Sequence, residues 1–275
     1  MQAEAAVKTS LLLNKSLWLA HLVNGALHCC RFKWKDAATA FDRALEIAPA
    51  EVRSHFWYIA FLLAMGKTAE ADKCITTRQI AIANPFLDGR IWLIQAASLY
   101  IQRQFEAAHS CISLSLPGNF RDLSTYGGLF GMRATDKTVE FQDWLTEALL
   151  ICAYLGLKRY ELASQYAMAF NEKNAGRGLG LVCIAVIAGG KPELVEGIPP
   201  LVAEMEEDAP SYSRVDLALA YMSIENHEQA SEMLSLACDE GHPLMAWLHI
   251  LPIFDSLKEL QAFRALVERT RPPLA

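Results

Sequence analysis

The chain has 275 residues, 53% of them hydrophobic, with only 15 glycines and 11 prolines, which allows a large core and argues against a loop-rich all-β fold. A formal net charge of −6, with no block of Lys and Arg, argues against direct nucleic-acid binding and offers no polybasic membrane anchor. Seven cysteines, an odd number in a chain too long to need cross-links, read as reduced thiols of the cytoplasm.

Near the N-terminus the Leu11, Leu12, Leu13 run is broken at once by Asn14 and Lys15, so it is not the apolar core of a signal peptide. A first helix is expected from about Lys15 to Arg31 and a second from Lys35 to Ile47, with Asp36 in the opening turn of the second, where its charge complements the helix dipole. Gly25, Ala37 and Phe41 mark the first hairpin by small and large residues at helical spacing, and Pro49 stops the second helix. The pattern restarts at Glu51: Ala71 and Ile75 stand 34 residues after Ala37 and Phe41, and Met65, Gly66 and Lys67 make the turn. This second helix is expected to reach Asn84 and Pro85. In a third hairpin Trp92, Ala96, Phe105, Ala108 and Ile112 take the large and small positions, and Pro117-Gly118 ends it.

Residues 117–140 break the rhythm, because Pro117, Gly118, Gly127, Gly128 and Gly131 disfavour a continuous helix. They read as a connector that re-aims the second half, or as a functional loop. Leu150, Tyr154, Tyr160 and Ala163 restore the spacing. A degenerate fifth hairpin follows, with helices near 177–188 and 192–205 flanking Gly189, Gly190 and Lys191, and with Pro199 and Pro200 expected to kink or cut the second helix. Leu217, Ala218, Tyr221, Ala230, Leu234 and Ala237 mark a sixth, and a final helix from about Ser256 to Arg269 would cover the open end. The divisions are therefore 1–116, 117–140 and 141–275. The longest apolar stretch, Leu179 to Ala188, is about half what a membrane-spanning helix requires.

Gly25, His28, Trp34, Ala37, Phe41, Ala44 and Pro49 together resemble the tetratricopeptide (TPR) repeat, and the resemblance extends over most of the chain. It implies an all-α fold, a TPR-like α-α superhelix of about six hairpins. Leu217 through Ala237, then Pro252 to Leu257 and Phe263 to Leu266, resemble the closing segment of repeat regions in bacterial winged-helix transcription activators and adenylate cyclase-associated TPR modules. The usual Asp-Pro-Arg before the final Phe is replaced by Leu260, Gln261 and Ala262, and no output domain is read in these residues. This narrower resemblance implies a regulatory or effector scaffold in signalling or transcription control.

Motifs for chemistry are weak. His21 and His28 are seven apart without the tighter spacing a metal needs, and His28 takes a core position of its hairpin. Gly176 to Gly180 lacks the Lys-Ser/Thr of a phosphate loop, and Glu204, Glu206, Glu207 and Asp208 read as a solvated helix end. Neither catalytic residues nor a metal or cofactor site is expected, and an enzyme ranks last.

The resemblance places the first helix of each hairpin on the concave face. There Leu19, Leu22 and Ala26, then Arg53, Phe56 and Ala60, then Arg90, Leu93 and Ala97 with Tyr100, form an apolar stripe with two equivalently placed arginines. Arg53, Phe56, Arg90, Leu93 and Tyr100 are thus the candidate partner-binding residues, with the arginines suited to a carboxylate or a peptide backbone. The chaperone-tail carboxylate clamp is not expected, because Leu22 and Ala26 stand where Lys and Asn are needed. The leading expectation is a cytoplasmic, non-enzymatic module that binds a protein or peptide. Alternatives are a chaperone or adaptor for secreted or assembling proteins, or a self-association module that forms a homo-oligomer.

Overall fold

The computed structural model describes residues 2–81, 85–115, 148–173 and 178–273; the connector predicted over 117–140 and the end of the second hairpin at 82–84 lie outside them. Among the described residues the chain is all-helical, without a strand. In order come α1 (Gln2–Leu13), α2 (Trp18–Cys29), α3 (Trp34–Ile47), α4 (Val52–Ala64), α5 (Thr68–Ala81), α6 (Pro85–Ile101) and α7 (Phe105–Ser115). After the gap follow α8 (148–156), α9 (Tyr160–Lys173), α10 (Leu179–Gly189), α11 (Pro192–Val195), α12 (Ile198–Glu207), α13 (Arg214–Ser223), α14 (His227–Asp239) and α15 (Gln261–Thr270). Two 3₁₀ segments, Pro243–Trp247 and Pro252–Leu257, separate α14 from α15.

Helix α3 shows why these segments fold as they do. Trp34, Ala37, Ala40, Phe41 and Ala44 recur at helical spacing and are buried, while Lys35, Asp36, Asp42 and Arg43 face water. Its partner α2 packs against it through Gly25, where an added Cβ would lie 2.9 Å from two carbons of the Phe41 ring. The same small residue recurs along the chain: Ala37, Ala71, Ala108, Ala163 and Ala230 have no exposed surface, and Phe41, Ile75, Ile112, Ala167 and Leu234, one turn further on, are also buried.

The turns repeat as well. Phe32, Gly66, Arg103, Lys158, Gly190 and Glu225 adopt left-handed φ of 58, 71, 61, 57, 63 and 59° between successive helices. In five of them the next residue's N–H reaches back five residues, as Lys33 does to the His28 carbonyl at 3.0 Å and Asn226 to that of Tyr221 at 3.0 Å. This is the Schellman termination, which satisfies the last helical carbonyls. Glycine supplies that conformation without strain at 66 and 190; four other side chains adopt it at a steric cost.

Packing runs between neighbours: α2 on α3, α4 on α5, α6 on α7, α9 on α10, α10 on α13 and α13 on α14. At Gly180 the approach of α10 to α13 is closest, since an added Cβ would sit 2.3 Å from the Asp216 carbonyl oxygen. The Asp216 side chain, half-buried there, accepts a hydrogen bond from the Ser213 hydroxyl; desolvation still raises its pKa.

Two boundaries differ from the sequence expectation, and a third takes one of its two alternatives. Helix α1 was not foreseen; its Ala, Glu, Lys and Leu residues favour helix without the repeat's spacing, and it docks through buried Val7 and a Glu4–Arg31 ion pair. Pro199 and Pro200 cut the fifth hairpin's second helix rather than kink it, because they fall in the first turn of α12, where no amide hydrogen bond is lost. The final helix begins at Gln261, and residues from 252 onward first form a 3₁₀ turn held by buried Phe254 and Leu257. No described helix is long and apolar enough to cross a membrane.

Candidate functional site

The predicted partner-binding residues come from the first helices α4 and α6. Arg53 lies in the first turn of α4, half-buried: its Nε donates to Glu51 at 2.9 Å and its guanidinium carbon stands 4.8 Å over the Trp18 ring. Glu51 is itself the N-cap of α4, so the arginine is oriented by the residue that starts its helix. Phe56 is buried with Ile59, Leu63 and Ile94, edge-on to Trp57 at 6.0 Å. Leu93 and Tyr100 are buried in the larger core that continues through α8 to α14. Arg90 falls in α6, but its side chain is outside the described residues.

The structure thus separates the set. Arg53 reaches the surface, whereas Phe56, Leu93 and Tyr100 are enclosed by the chain itself. Burial, and secondarily the neighbouring Cys152, pushes the Tyr100 phenol well above its ordinary pKa. Burial likewise pushes the Cys152 thiol up to about 12. An apolar stripe at helical spacing marks both a groove and an inter-hairpin contact, and here much of it serves the contact.

What encloses this face was not foreseen. After α14 the chain turns at Gly241, beside the Cys30 carbonyl, and the 3₁₀ segment Pro243–Trp247 packs on α4. Ala246 is buried among Leu22, Trp34, Phe41, Phe61 and Ala64 of the first two hairpins. Trp247 packs against that cluster and against the one containing Phe56, Leu63 and Ile94, where Ile250 joins it. One guanidinium nitrogen of Arg103, in the α6–α7 turn, lies 2.8 Å from each carboxylate oxygen of Asp255. Partial burial opposes the charge on Asp255, but Lys258 and Arg103 hold its carboxyl below the usual carboxylate range. Contacts between residues so distant in sequence leave no local periodicity.

A concavity of about 430 Å³ lies on α4 and α5, lined by His55, Tyr58, Leu62, Glu70, Lys73, Cys74 and Thr77. His55 is engaged there, its Nε2 2.7 Å from the Pro49 carbonyl oxygen. Nearby, Asp72 binds Ser98 at 2.7 Å and Gln102 at 3.1 Å, tying α5 to α6. His28 is half-buried, and desolvation lowers its pKa. Glu204, Glu206, Glu207 and Asp208 are exposed. No group of three or more His, Cys, Asp or Glu among the described residues converges to hold a metal.

Compared with family models, curated proteins and solved structures, the chain matches none of them.

Proposed function

We propose that this chain is a non-enzymatic, TPR-like repeat module, a superhelix of helical hairpins that binds a protein or peptide and serves as a regulatory or effector scaffold. The observation that carries the reading is the recurrence of one hairpin, with a fully buried alanine in its second helix and a left-handed turn residue between its helices. Repeated units of this kind gain stability from their neighbours and present extended surfaces built from many helices, which suits recognition of another chain. Within this reading Arg53 and Arg90 orient the partner, while Phe56, Leu93 and Tyr100 support the face from beneath. The winged-helix and cyclase resemblance at 217–266 is what gives the scaffold a role in signalling or transcription control.

The test is affinity capture from the source organism's cells with mass spectrometry, followed by calorimetry with the purified partner. Arg53→Ala combined with Arg90→Ala is expected to weaken binding at least tenfold while leaving the melting temperature nearly unchanged. Unaltered affinity in that folded double variant would remove the arginines from the site. The absence of any saturable protein partner would count against the whole reading.

A further inference from the structure

Residues 243–257 do two jobs at once. Met245, Leu248, Phe254 and Leu257 are buried in the core shared with α13 to α15, which anchors the segment to the C-terminal half. Its other side carries Ala246, Trp247, Ile250 and Asp255, and these meet α2, α4 and the α6–α7 turn. Among the described residues, the two clusters they join are otherwise built only from residues between Trp18 and Ile101.

We propose that this segment is an internal competitor: it occupies the face of the first three hairpins on which a partner docks, and the partner's docking segment has the same chemistry, a tryptophan followed eight positions later by a carboxylate. This rests on the protein-binding reading above and names the ligand class of that face. Three observations support it. The segment is an irregular 3₁₀ stretch that crosses the repeats rather than extending them. Its polar tie, Arg103 to Asp255, is nearly half-exposed on both sides, so solvent weakens it and a charged competitor can exchange with it. The contact is also imperfectly satisfied, because Nε1 of Trp34, in the cluster that takes up Ala246, is buried without a hydrogen-bond partner among the described residues. A permanent interface gains by pairing such groups. A contact that opens gains less.

The experiment uses the full chain and the variant Asp255→Arg, which sets like charges against each other at Arg103. Hydrogen exchange is expected to accelerate at least tenfold over 246–255 and the facing turns of α4, with α9 and α14 unchanged. A fluorescent peptide with the sequence of residues 243–257 and a solubilising lysine tail is then titrated into both proteins, followed by anisotropy. It is expected to bind the variant at least tenfold more tightly than the unaltered chain, and to lose that gain when its own Asp255 equivalent is Ala. Unchanged exchange would overturn the proposal, since the segment would not open independently. Accelerated exchange with equal peptide binding, or none, would overturn it too. If Asp255→Arg lacks a cooperative melt, Asp255→Asn is judged by the same two criteria. Failure of the wider reading appears separately, as no captured partner while exchange and peptide binding behave as expected.

Discussion

Gly25→Ala tests how closely the first hairpin is packed. The new Cβ would stand 2.9 Å from Phe41 Cε1 and Cζ and 3.0 Å from Cδ1, so the ring has to move. It has little room: Phe41 is 1% exposed and stacks on Phe61 at a centroid distance of 5.2 Å. Overpacking of this kind costs about 1–3 kcal/mol. Replacing a mid-helix glycine by alanine returns up to about 1 kcal/mol of helix propensity. The net loss is therefore expected near 1–2 kcal/mol, read as a lower urea midpoint at an unchanged slope. Phe41→Leu should cost stability alone yet cost less in the Gly25→Ala background, giving a favourable coupling in a double-mutant cycle. A Gly25→Ala protein stabilised by the full propensity gain, with no coupling to Phe41, would refute the close approach.

Further outcomes follow from burial, backbone and charge. Ala108→Leu adds a side chain at a site with no free surface and should cost about 1–3 kcal/mol in urea denaturation; an unchanged midpoint would refute the packing register. Lys158 and Gly66 share a left-handed φ, so Lys158→Gly should stabilise by about 0.5–1 kcal/mol and Gly66→Ala destabilise by about 1 kcal/mol; the same sign for both would contradict the shared turn. His249, in the segment that covers the first hairpins, has its pKa lowered by burial, and secondarily by Arg271, to about 4. A folded-state value below the unfolded 6.5 means full stability above about pH 6.5, lost as pH falls through 4. The full shift corresponds to about 3 kcal/mol, which screening of a partly exposed ring reduces to about 1–2 kcal/mol. His249→Asn should flatten the urea midpoint against pH in that window by this amount, over a background that His242 still supplies; identical profiles would exclude the effect.

The parts of the fold set by local rules could be read from the chain. Alanine and aromatic spacing located the helix pairs, and glycines marked the turns at 66 and at 189–190, because both depend on neighbours within a turn or two. Phe32, Arg103, Lys158 and Glu225 take the same left-handed turn, but nothing in their chemistry announces it. Helix α1 was missed since its propensity lacks the repeat's pattern. The candidate site was legible only in part: Arg53 came from its place at the start of α4, whereas the burial of Phe56 and Tyr100 depends on what the rest of the chain lays against them. Trp247 and the Arg103–Asp255 pair depend on closure across most of the chain, and no short-range spacing encodes it.

The most direct measurement is hydrogen exchange on the full chain, alone and saturated with the purified partner from the capture experiment. The expected result is new protection on the first turn of α4 around Arg53 together with faster exchange over 246–255. Exchange in the first three hairpins and in 246–255 that is unaffected by a bound partner would contradict a docking face shared with the chain's own C-terminal segment.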